Sequence, residues 1–276
     1  MAGNFWQSSH CKQWLLTEEY ILSSRRKDLL ELSNEEYQKI MIFFANVIQA
    51  IGEQVKVRQQ VIATATVYFR RFYARYPLKS CDPILLAPTC IYLAAKVEES
   101  GPISNNRIIL TATNVVKGKF AYAFPSDFPY RISHVWECEF FLLELTDCCL
   151  VVYHPYRPLV KYAQDLNLGD SLLPVAWSIV NDSYRTDAML LYPPYQIALA
   201  CLHMACVAQN LEVKARDWFA ELNVDMDKII EITQMILSLY ELWKTFEEKT
   251  EIQALIKKMP KAVSTKPPDT QTSQSQ

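Results

Sequence analysis

The stretch PILLAPTCIYLAAKV, residues 83–97, returns in altered form as PYQIALACLHMACVA, residues 194–208. Stacked without gaps at an offset of 111, the two share a proline and a series of small residues: Pro83, Ala87, Cys90 and Ala94 fall on Pro194, Ala198, Cys201 and Ala205. Small side chains at helical spacing let neighbouring helices approach closely. We therefore predict that each stretch is a central helix wrapped by four others, and that the fold is all-α with this five-helix unit in tandem.

The composition of the whole chain agrees with a helical fold. Half of the 276 residues are apolar and 12% are aromatic, which is enough to build a folded core. Only five are glycine, which leaves little material for hairpins or phosphate-binding loops and favours helices joined by short turns. The net charge is −2, so no global field draws the chain to nucleic acid or acidic lipid.

The eight cysteines contain no C-x-x-C pair, and several fall on apolar helical faces. Buried thiols in a reducing compartment are the expected state, with no metal and no cofactor. The N-terminus has no basic-then-apolar signal, and no window reaches the roughly 20 apolar residues of a membrane span. We expect an intracellular protein with no membrane segment.

Hydrophobic periodicity divides the chain into four segments. These are an N-terminal segment with an amphipathic helix at about 10–30, a first unit, a second unit and a disordered tail, over residues 1–34, 35–150, 151–257 and 258–276. Ser33 followed by Glu36 fits a capping box at the start of the first unit. In the second unit, helices are predicted at about 157–166, 170–186, 194–209, 214–221 and 225–246, with a short one near 248–257. The tail is too polar and proline-rich to pack.

One difference separates the two central helices: Lys96 in the first falls on Val207 in the second. A lysine in the last turn of a helix suits the helix dipole and could pair locally with Glu99. Because the second copy has no lysine there, the fold can be built without one. The pattern therefore favours a role for Lys96 beyond the fold.

Two five-helix repeats, with LAAKVEE (93–99) at the end of the third helix, resemble a cyclin. In cyclins, the first repeat, or box, carries a lysine that ends helix three and a glutamate in helix five. Lys96 matches the lysine, and Glu137 in WECEFFLLELTDCCL (136–150) matches the glutamate. The resemblance covers the chain from about residue 35 to residue 250.

Three further stretches make the resemblance more specific. They are FWQSSH at 5–10, QVIATATVYFRRFYARY at 60–76 and CCLVVYHPYRPL at 148–159, all similar to the cyclins that partner the kinase of the Mediator complex. The resemblance implies a nuclear regulatory subunit of that cyclin-dependent kinase, acting in RNA polymerase II transcription. It also implies that the chain supplies no catalytic group of its own.

The resemblance implies which residues bind the kinase. Lys96 would donate to exposed carbonyl oxygens of a partner helix, and Glu137 would accept from exposed amides. Phe141, one turn after Glu137, would add apolar contact. The implied kinase-binding surface consists of Lys96, Glu99, Glu137, Phe141 and Glu144. A cyclin that grips the αC helix of a kinase holds it inward, where its glutamate pairs with the β3 lysine, and so selects the active arrangement.

Two pairs of positions depart from the cell-cycle cyclins. Those cyclins pair an arginine in helix one with an aspartate in helix two, and Met41 and Arg70 stand at these positions here. Both members are absent together, so neither is left as an unpaired buried charge. Val47 and Ala50 replace the tryptophan and glutamate that dock short substrate motifs. Substrate docking by that route is therefore not expected.

A second partner surface is predicted on the second box. Trp177 and Asn181 are four residues apart and share a helical face, with Asp182 beside them. Tyr240 falls just off the inward stripe of the last long helix. The predicted surface comprises Trp6, Glu98, Trp177, Asn181, Asp182 and Tyr240. The resemblance implies that its partner is the large regulatory subunit of the Mediator kinase module. The alternative is a helix cap or an internal hydrogen bond between the boxes.

Two other functions compete with this interpretation. An enzyme is disfavoured because the four histidines lie far apart in sequence and no nucleophile or metal-ligand motif joins them. A nucleic-acid adaptor would draw on a basic cluster near the end of helix two, formed by Arg70, Arg71, Arg75 and Lys79. One such cluster on a near-neutral chain is more often a solvated face or a protein contact. No direct binding of nucleic acid is expected.

Large apolar residues precede the first box, at Phe5, Trp6 and Trp14. A helix packed there has two possible roles. It would either reach the partner kinase directly or cover the seam between the two boxes.

Overall fold

The computed structural model describes residues 3–167, 169–222 and 224–260. The predicted disordered tail lies outside the described residues except for residues 258–260. All regular elements in the described part of the chain are helical, which confirms the all-α prediction.

The helices fall into three consecutive groups along the chain. The N-terminal segment contains α1 Ser9–Trp14 and α2 Glu18–Arg25. The first box comprises α3 Asn34–Val55, α4 Gln59–Arg75, α5 Pro83–Val97, α6 Asn105–Lys117 and α7 Ile132–Leu145. The second box comprises α8 Tyr156–Asp165, α9 Gly169–Ser183, α10 Ala188–Leu191, α11 Pro194–Ala208, α12 Glu212–Glu221 and α13 Met226–Thr245, and α14 Glu248–Lys258 follows it. Short 3₁₀ turns lie at Phe5–Gln7, Asp28–Leu30 and Leu78–Ser80.

Helix α5 is the centre of the first box and contacts α3, α4, α6 and α7. The Asp82 side chain caps its N-terminus, and Pro83 occupies the first turn, where the missing N–H would have no partner in any case. The small residues Ala87, Cys90 and Ala94 have no exposed surface. Their size lets the surrounding helices pack closely around α5.

Helix α11 repeats this arrangement in the second box, where it contacts α8, α9, α12 and α13. The matching residues Ala198, Cys201 and Ala205 are also fully buried. Both predicted central helices are therefore confirmed. The link between α9 and α11 contains an element that the periodicity did not indicate, the single-turn helix α10, which packs on α4 of the first box.

Helix α3 begins with the predicted capping box. Ser33 Oγ accepts from Glu36 N at 3.1 Å, and the Glu36 carboxylate accepts from Ser33 N at 2.7 Å. Near the other end of α3, Gly52 allows α4 to approach closely, because a β-carbon there would lie 2.4 Å from Ile62 Cγ1. Helix α14 returns from the second box to pack on α3.

The N-terminal segment folds as two short helices, where the sequence predicts a single helix over 10–30. The backbone is extended at Leu15, and the Thr17 side chain caps the start of α2. Between them, Leu16 N donates to Leu190 O at 2.7 Å. The break between α1 and α2 therefore serves to bind the segment to the second box.

Trp14 covers two arginines of the first box. Its indole is fully buried, and the guanidinium groups of Arg71 and Arg75 lie 4.9 and 3.9 Å from the ring centroid. Such cation–π contacts strengthen when water is excluded. Burial lowers the pKa of Arg71 to about 10, which still leaves it charged at neutral pH. Trp14 thus packs inside the protein against the first box.

A buried ion cluster joins the N-terminal segment and the two boxes. Asp187, just before α10, accepts from Arg25 of α2 at 2.7 Å and from Arg70 of α4 at 3.0 Å. Although burial opposes its ionisation, these two arginines hold the pKa of Asp187 well below its usual value. Arg70 is thus a buried charge whose partner lies across the seam.

Candidate partner-binding surfaces

Lys96 lies in the last turn of α5, at the edge of the first box. Its Nζ donates to both carboxylate oxygens of Glu139 on α7, at 2.7 and 2.8 Å, and lies 4.1 Å from the centroid of the Tyr92 ring. The lysine side chain is 42% exposed and the glutamate side chain 11%. Because a lysine has three N–H donors, one remains available to an outside acceptor.

Glu139, rather than Glu137, is the glutamate that the structure brings to Lys96. The inward side chains of α7 include Val135, Cys138 and Leu142. Glu139 follows Val135 by four residues and lies at the edge of this stripe, whereas Glu137 is exposed. Successive helical residues are rotated by about 100°, so a shift of two positions carries a side chain to another face. The spacing of the inward stripe is the sequence signal that separates the two glutamates.

The other residues predicted to bind the kinase are exposed. Glu137, Phe141 and Glu144 follow one another at spacings of four and three on α7, and so share one outward face. Phe141 is 43% exposed, and its ring centroid lies 6.4 Å from that of Phe72 in α4. Glu99 lies just after the end of α5, in the left-handed region with a φ of 50°.

Two exposed aromatic residues beside Glu139 were missed by the sequence analysis. Phe140 is 73% exposed and Trp136 is 42% exposed, and the two are four residues apart on α7. Contiguous exposed apolar surface of this kind is typical of binding sites, with aromatic residues enriched at their centres. The sequence signal is an excess of apolar residues. The stretch WECEFFLLEL (136–145) holds more of them than one inward helical face can bury.

The second predicted surface consists of two hydrogen-bonded groups on the second box. In the first group, Trp177 stacks on Tyr156 with ring centroids 4.5 Å apart, and Tyr156 OH donates to Asn181 Oδ1 at 2.8 Å. In the second group, Tyr240 OH donates to Asp182 Oδ2 at 3.0 Å. The four predicted residues are all partly exposed. Trp177 and Asn181 are therefore joined through Tyr156, and Asp182 and Tyr240 are joined directly.

Arg185 joins the two groups and also bonds to the first box. Its Nη1 donates to Asn181 O at 3.2 Å and lies 3.5 Å from Asp182 Oδ1. Its Nε donates to Asn46 Oδ1 of α3 at 3.0 Å. Burial raises the pKa of Asp182, an effect that Arg185 and Tyr240 oppose. An internal hydrogen bond between the boxes is thus present, made by Arg185 rather than by Asn181 or Asp182.

Glu98 ends a chain of hydrogen bonds that crosses the seam. Tyr184 OH lies 2.6 Å from His154 Nδ1, and His154 Nε2 lies 2.7 Å from Thr64 Oγ1. Thr64 in turn donates to Glu98 Oε1 at 2.5 Å. Burial opposes the ionisation of Glu98, but His154 and Thr64 lower its pKa, and burial lowers the pKa of His154. The Tyr184 ring stacks on that of Tyr156 at 6.0 Å, which links this chain to the first hydrogen-bonded group.

Trp6 lies apart from both groups. Its ring is 57% exposed, with its centroid 6.0 Å from that of Tyr195 at the start of α11 and 5.2 Å from that of Phe5. The six residues predicted for the second surface therefore do not line one pocket. Glu98 is linked to the first group alone, through the hydrogen-bond chain and the stacked rings of Tyr184 and Tyr156, and Trp6 stands beside α11.

The basic cluster that would serve a nucleic-acid adaptor does not form a surface. Arg70 is 2% exposed and Arg71 is fully buried. Arg75 is partly exposed and Lys79 is exposed. Two of the four charges are thus held in the interior, and the nucleic-acid interpretation loses the feature on which it rested.

Two further properties bear on function. In the described part of the chain, no helix is long and apolar enough to cross a membrane. Nor does any group of histidine, cysteine, aspartate and glutamate side chains among those residues have the arrangement to hold a metal ion.

The repeated five-helix unit, with a lysine at the end of the first central helix paired to a glutamate of the fifth, is the fold of a cyclin. Two family models match the chain. One, described as the cyclin N-terminal domain, matches residues 4–150, and the other, described as the cyclin C-terminal domain, matches residues 154–244.

Several named proteins are similar over nearly the whole chain. Cyclin-C of Rattus norvegicus is 63% identical over 268 residues, which cover 97% of this chain and 93% of that protein. Cyclin-C of Drosophila melanogaster is 61% identical, covering 97% and 99%, and Cyclin-C1-1 of Oryza sativa subsp. japonica is 42% identical, covering 88% and 91%. The chain therefore belongs to the cyclin-C family. It is a regulatory subunit and not an enzyme.

Solved structures share the fold at low sequence identity. A chain of the CAK complex from Chaetomium thermophilum matches with a TM-score of 0.71 and 21% identity, covering 92% of this chain and 87% of that one. A chain of the yeast TFIIK complex matches with a TM-score of 0.67 and 23% identity, covering 84% and 100%. At these identities the likeness concerns the fold alone.

Proposed function

We propose that this cyclin binds and activates the cyclin-dependent kinase associated with the Mediator complex, acts in the nucleus, and so regulates transcription by RNA polymerase II. The relatives named Cyclin-C support this. The observation that carries the proposal is the Lys96–Glu139 pair, in which the lysine is exposed and the glutamate is buried, with exposed aromatic residues beside it.

The charge pair suits the end of a partner helix. The last carbonyls and first amides of any helix have no partners within it. Lys96 keeps one N–H donor, and the carboxylate of Glu139 keeps lone pairs beyond those that Lys96 uses. Because each side chain already holds the other, little side-chain freedom is lost on binding. Charge-assisted bonds from such a pair fix register as well as affinity.

The surface proposed to bind the kinase is wider than the sequence indicated. It comprises Lys96, Glu99, Glu137, Phe141 and Glu144 from the sequence, with Trp136, Glu139 and Phe140 added. Trp136 and Phe140 offer the apolar area that dominates binding energy at most interfaces. Held against this surface, the αC helix of the kinase is kept inward with its glutamate near the β3 lysine, so the active conformation gains population.

Reconstitution with the kinase tests this proposal and the choice of glutamate together. Glu139→Ala is expected to weaken kinase binding by about 30-fold or more, because it removes one member of a charge pair at the centre of the contact. Glu137→Ala, at an exposed position, is expected to change it only a few-fold. Titration calorimetry and kinase activity measure both, with Glu241→Ala on the exposed side of α13 as the matched control. The reverse order of effects would restore Glu137 as the central residue, and no effect from either would place the interface elsewhere.

A second surface is proposed to bind the large regulatory subunit of the Mediator kinase module. Trp177, Asn181, Asp182 and Tyr240 combine partly exposed aromatic rings with an amide and a carboxylate, a composition found at binding hot spots. They lie on the second box, so the kinase-binding surface of the first box stays free. Trp6 and Glu98 are assigned to the edges of this surface.

The double variant Asn181→Ala with Asp182→Ala tests this second surface. Binding of the regulatory subunit is expected to fall at least ~10-fold, while the cyclin–kinase pair stays intact. Asn181 also accepts a bond from buried Tyr156, so thermal unfolding of the variant must be measured beside binding. Ser178→Ala, at an exposed position on the same helix, is the control. Normal binding by the double variant would leave this surface with a structural role only.

A further inference from the structure

Two buried thiols meet where α7 packs on the start of α5. Cys81 lies in the extended backbone just before the Asp82 cap of α5, and Cys138 lies on the inward face of α7. Their Sγ atoms are 3.7 Å apart. This is the only thiol–thiol hydrogen bond in the described part of the chain, and all eight cysteines are free.

Three buried cysteines, Cys81, Cys138 and Cys149, keep 6–9% exposed surface, and of these Cys81 and Cys138 lie side by side. Cys81 is 9% exposed and Cys138 is 6% exposed, whereas Cys90 and Cys201 have no exposed surface. The hydrogen bond with Cys81 also lowers the pKa of Cys138. A thiol with more thiolate character and partial access is the kind that reacts with peroxide, while fully buried thiols are inert.

We propose that Cys81 and Cys138 form a reversible disulfide when the cell is exposed to hydrogen peroxide. Cys138 attacks the peroxide, the O–O bond breaks, and a sulfenic acid forms with release of water. Cys81 then attacks the sulfenic sulfur, and the S–OH bond breaks as the S–S bond forms and a second water leaves. Two thiols lose two electrons and two protons in total, and one hydrogen peroxide takes them up. Thiol reductants reverse the reaction by exchange.

Closing the disulfide would move the kinase-binding surface. An S–S bond is about 2.05 Å long, so the two sulfurs must approach from 3.7 Å. Cys138 directly precedes Glu139 in α7, and Glu139 holds Lys96. We therefore expect oxidation to weaken kinase binding. This consequence, unlike the disulfide itself, rests on the proposed function.

The first experiment maps the disulfide in the full-length chain. Cys148→Ser removes the exposed thiol and with it most cross-linking between molecules, and this variant serves as the parent. After hydrogen peroxide treatment and alkylation, mass spectrometry is expected to find a peptide pair joined through Cys81 and Cys138, lost on reduction. Adding Cys81→Ser should abolish the pair, whereas adding Cys201→Ser should leave it. The chain that keeps Cys148 is treated in parallel, and oxidation of Cys148 shows that the peroxide dose is sufficient. If Cys81 and Cys138 are then still found alkylated rather than joined, the proposal is wrong.

The second experiment measures kinase affinity of the parent in its reduced, oxidised and re-reduced forms. We expect a loss of about 10-fold on oxidation and full recovery with dithiothreitol, and no change for the parent with Cys81→Ser. An oxidised form that binds as well as the reduced one would refute the link to Glu139. If the reduced form does not bind the kinase, the proposed function fails while the mapped disulfide stands.

Discussion

Helices α5 and α11 have the same length of 15 residues, begin with proline and bury the same stripe of small residues, yet their last turns differ. In α5 the turn carries Lys96, held by Glu139 of the fifth helix of the box. In α11 the same position is Val207, which is 44% exposed and makes no charged contact. The packing requirement of the fold is thus met twice, and the charge pair is made once. What is present in only one of two similar boxes is not needed to build either, which is why we assign the pair to binding.

The strongest test of this comparison is a substitution at the seam between the two boxes. Contacts at the seam decide whether the boxes unfold as one unit. Asp187→Ala leaves the buried guanidinium groups of Arg25 and Arg70 without a carboxylate. The free energy of unfolding is expected to fall by about 3–5 kcal/mol, measured by denaturant titration. Asp217→Ala, which breaks an exposed pair with Arg216, is the control and should have no measurable effect. If both variants unfold alike, the boxes are stable independently of the seam.

The pH dependence of stability tests a second, smaller effect at the seam, which comes from the buried His10. Burial, followed by the nearby charge of Arg71, lowers the pKa of His10 from 6.5 to about 3. Below pH 6.5 the unfolded chain takes up a proton that the folded chain refuses until about pH 3, so stability is lost as the pH falls through this window. Between pH 7 and pH 5 the loss is about 2 kcal/mol. The lowered pKa of His154 acts in the same direction.

Chemical denaturation at pH 7 and at pH 5 measures this effect. His10→Asn keeps an acceptor for Tyr153 N, which now donates to His10 Nδ1 at 3.0 Å, and should reduce the difference between the two pH values. Ser178→Ala, at an exposed position without a titratable group, should leave the difference unchanged. An unaltered difference in His10→Asn would assign the pH dependence to other groups.

The smallest expected effect comes from giving α11 the residue of α5. Val207→Lys places a charge at an exposed position and should change the free energy of unfolding by less than ~0.5 kcal/mol. It should add no kinase binding, because the exposed aromatic residues proposed to bind the kinase belong to α7 of the first box. A large loss of stability would show that the fold requires an apolar residue at the end of α11. The difference between the two last turns could then be explained by folding alone.

The features that the sequence predicted are those set by local periodicity. The stripe of small residues predicted both central helices, and Ser33 marked the start of α3. Whether Glu137 or Glu139 meets Lys96 depends on the rotation of α7 about its axis. The inward stripe of α7 determines this rotation, whereas the family pattern alone does not.

Contacts between distant segments were not predictable in the same way. Arg70 and Arg71 look like a basic surface in sequence, and their burial depends on Asp187 and Trp14, which lie more than 50 residues away along the chain. The break between α1 and α2 depends on Leu190 of the second box. Such pairings follow from tertiary packing, for which a single sequence carries no periodic signal.

The central claim is that the charge pair at the end of α5 exists for binding and not for the fold. The double variant Lys96→Ala with Glu139→Ala tests it most directly, because removing both charges leaves neither one unpaired. Kinase affinity by titration calorimetry and unfolding by denaturant are measured on the same preparation. We predict an affinity loss of at least ~100-fold with a change in unfolding free energy below ~1 kcal/mol. Retained affinity, or loss of the fold, would contradict the claim.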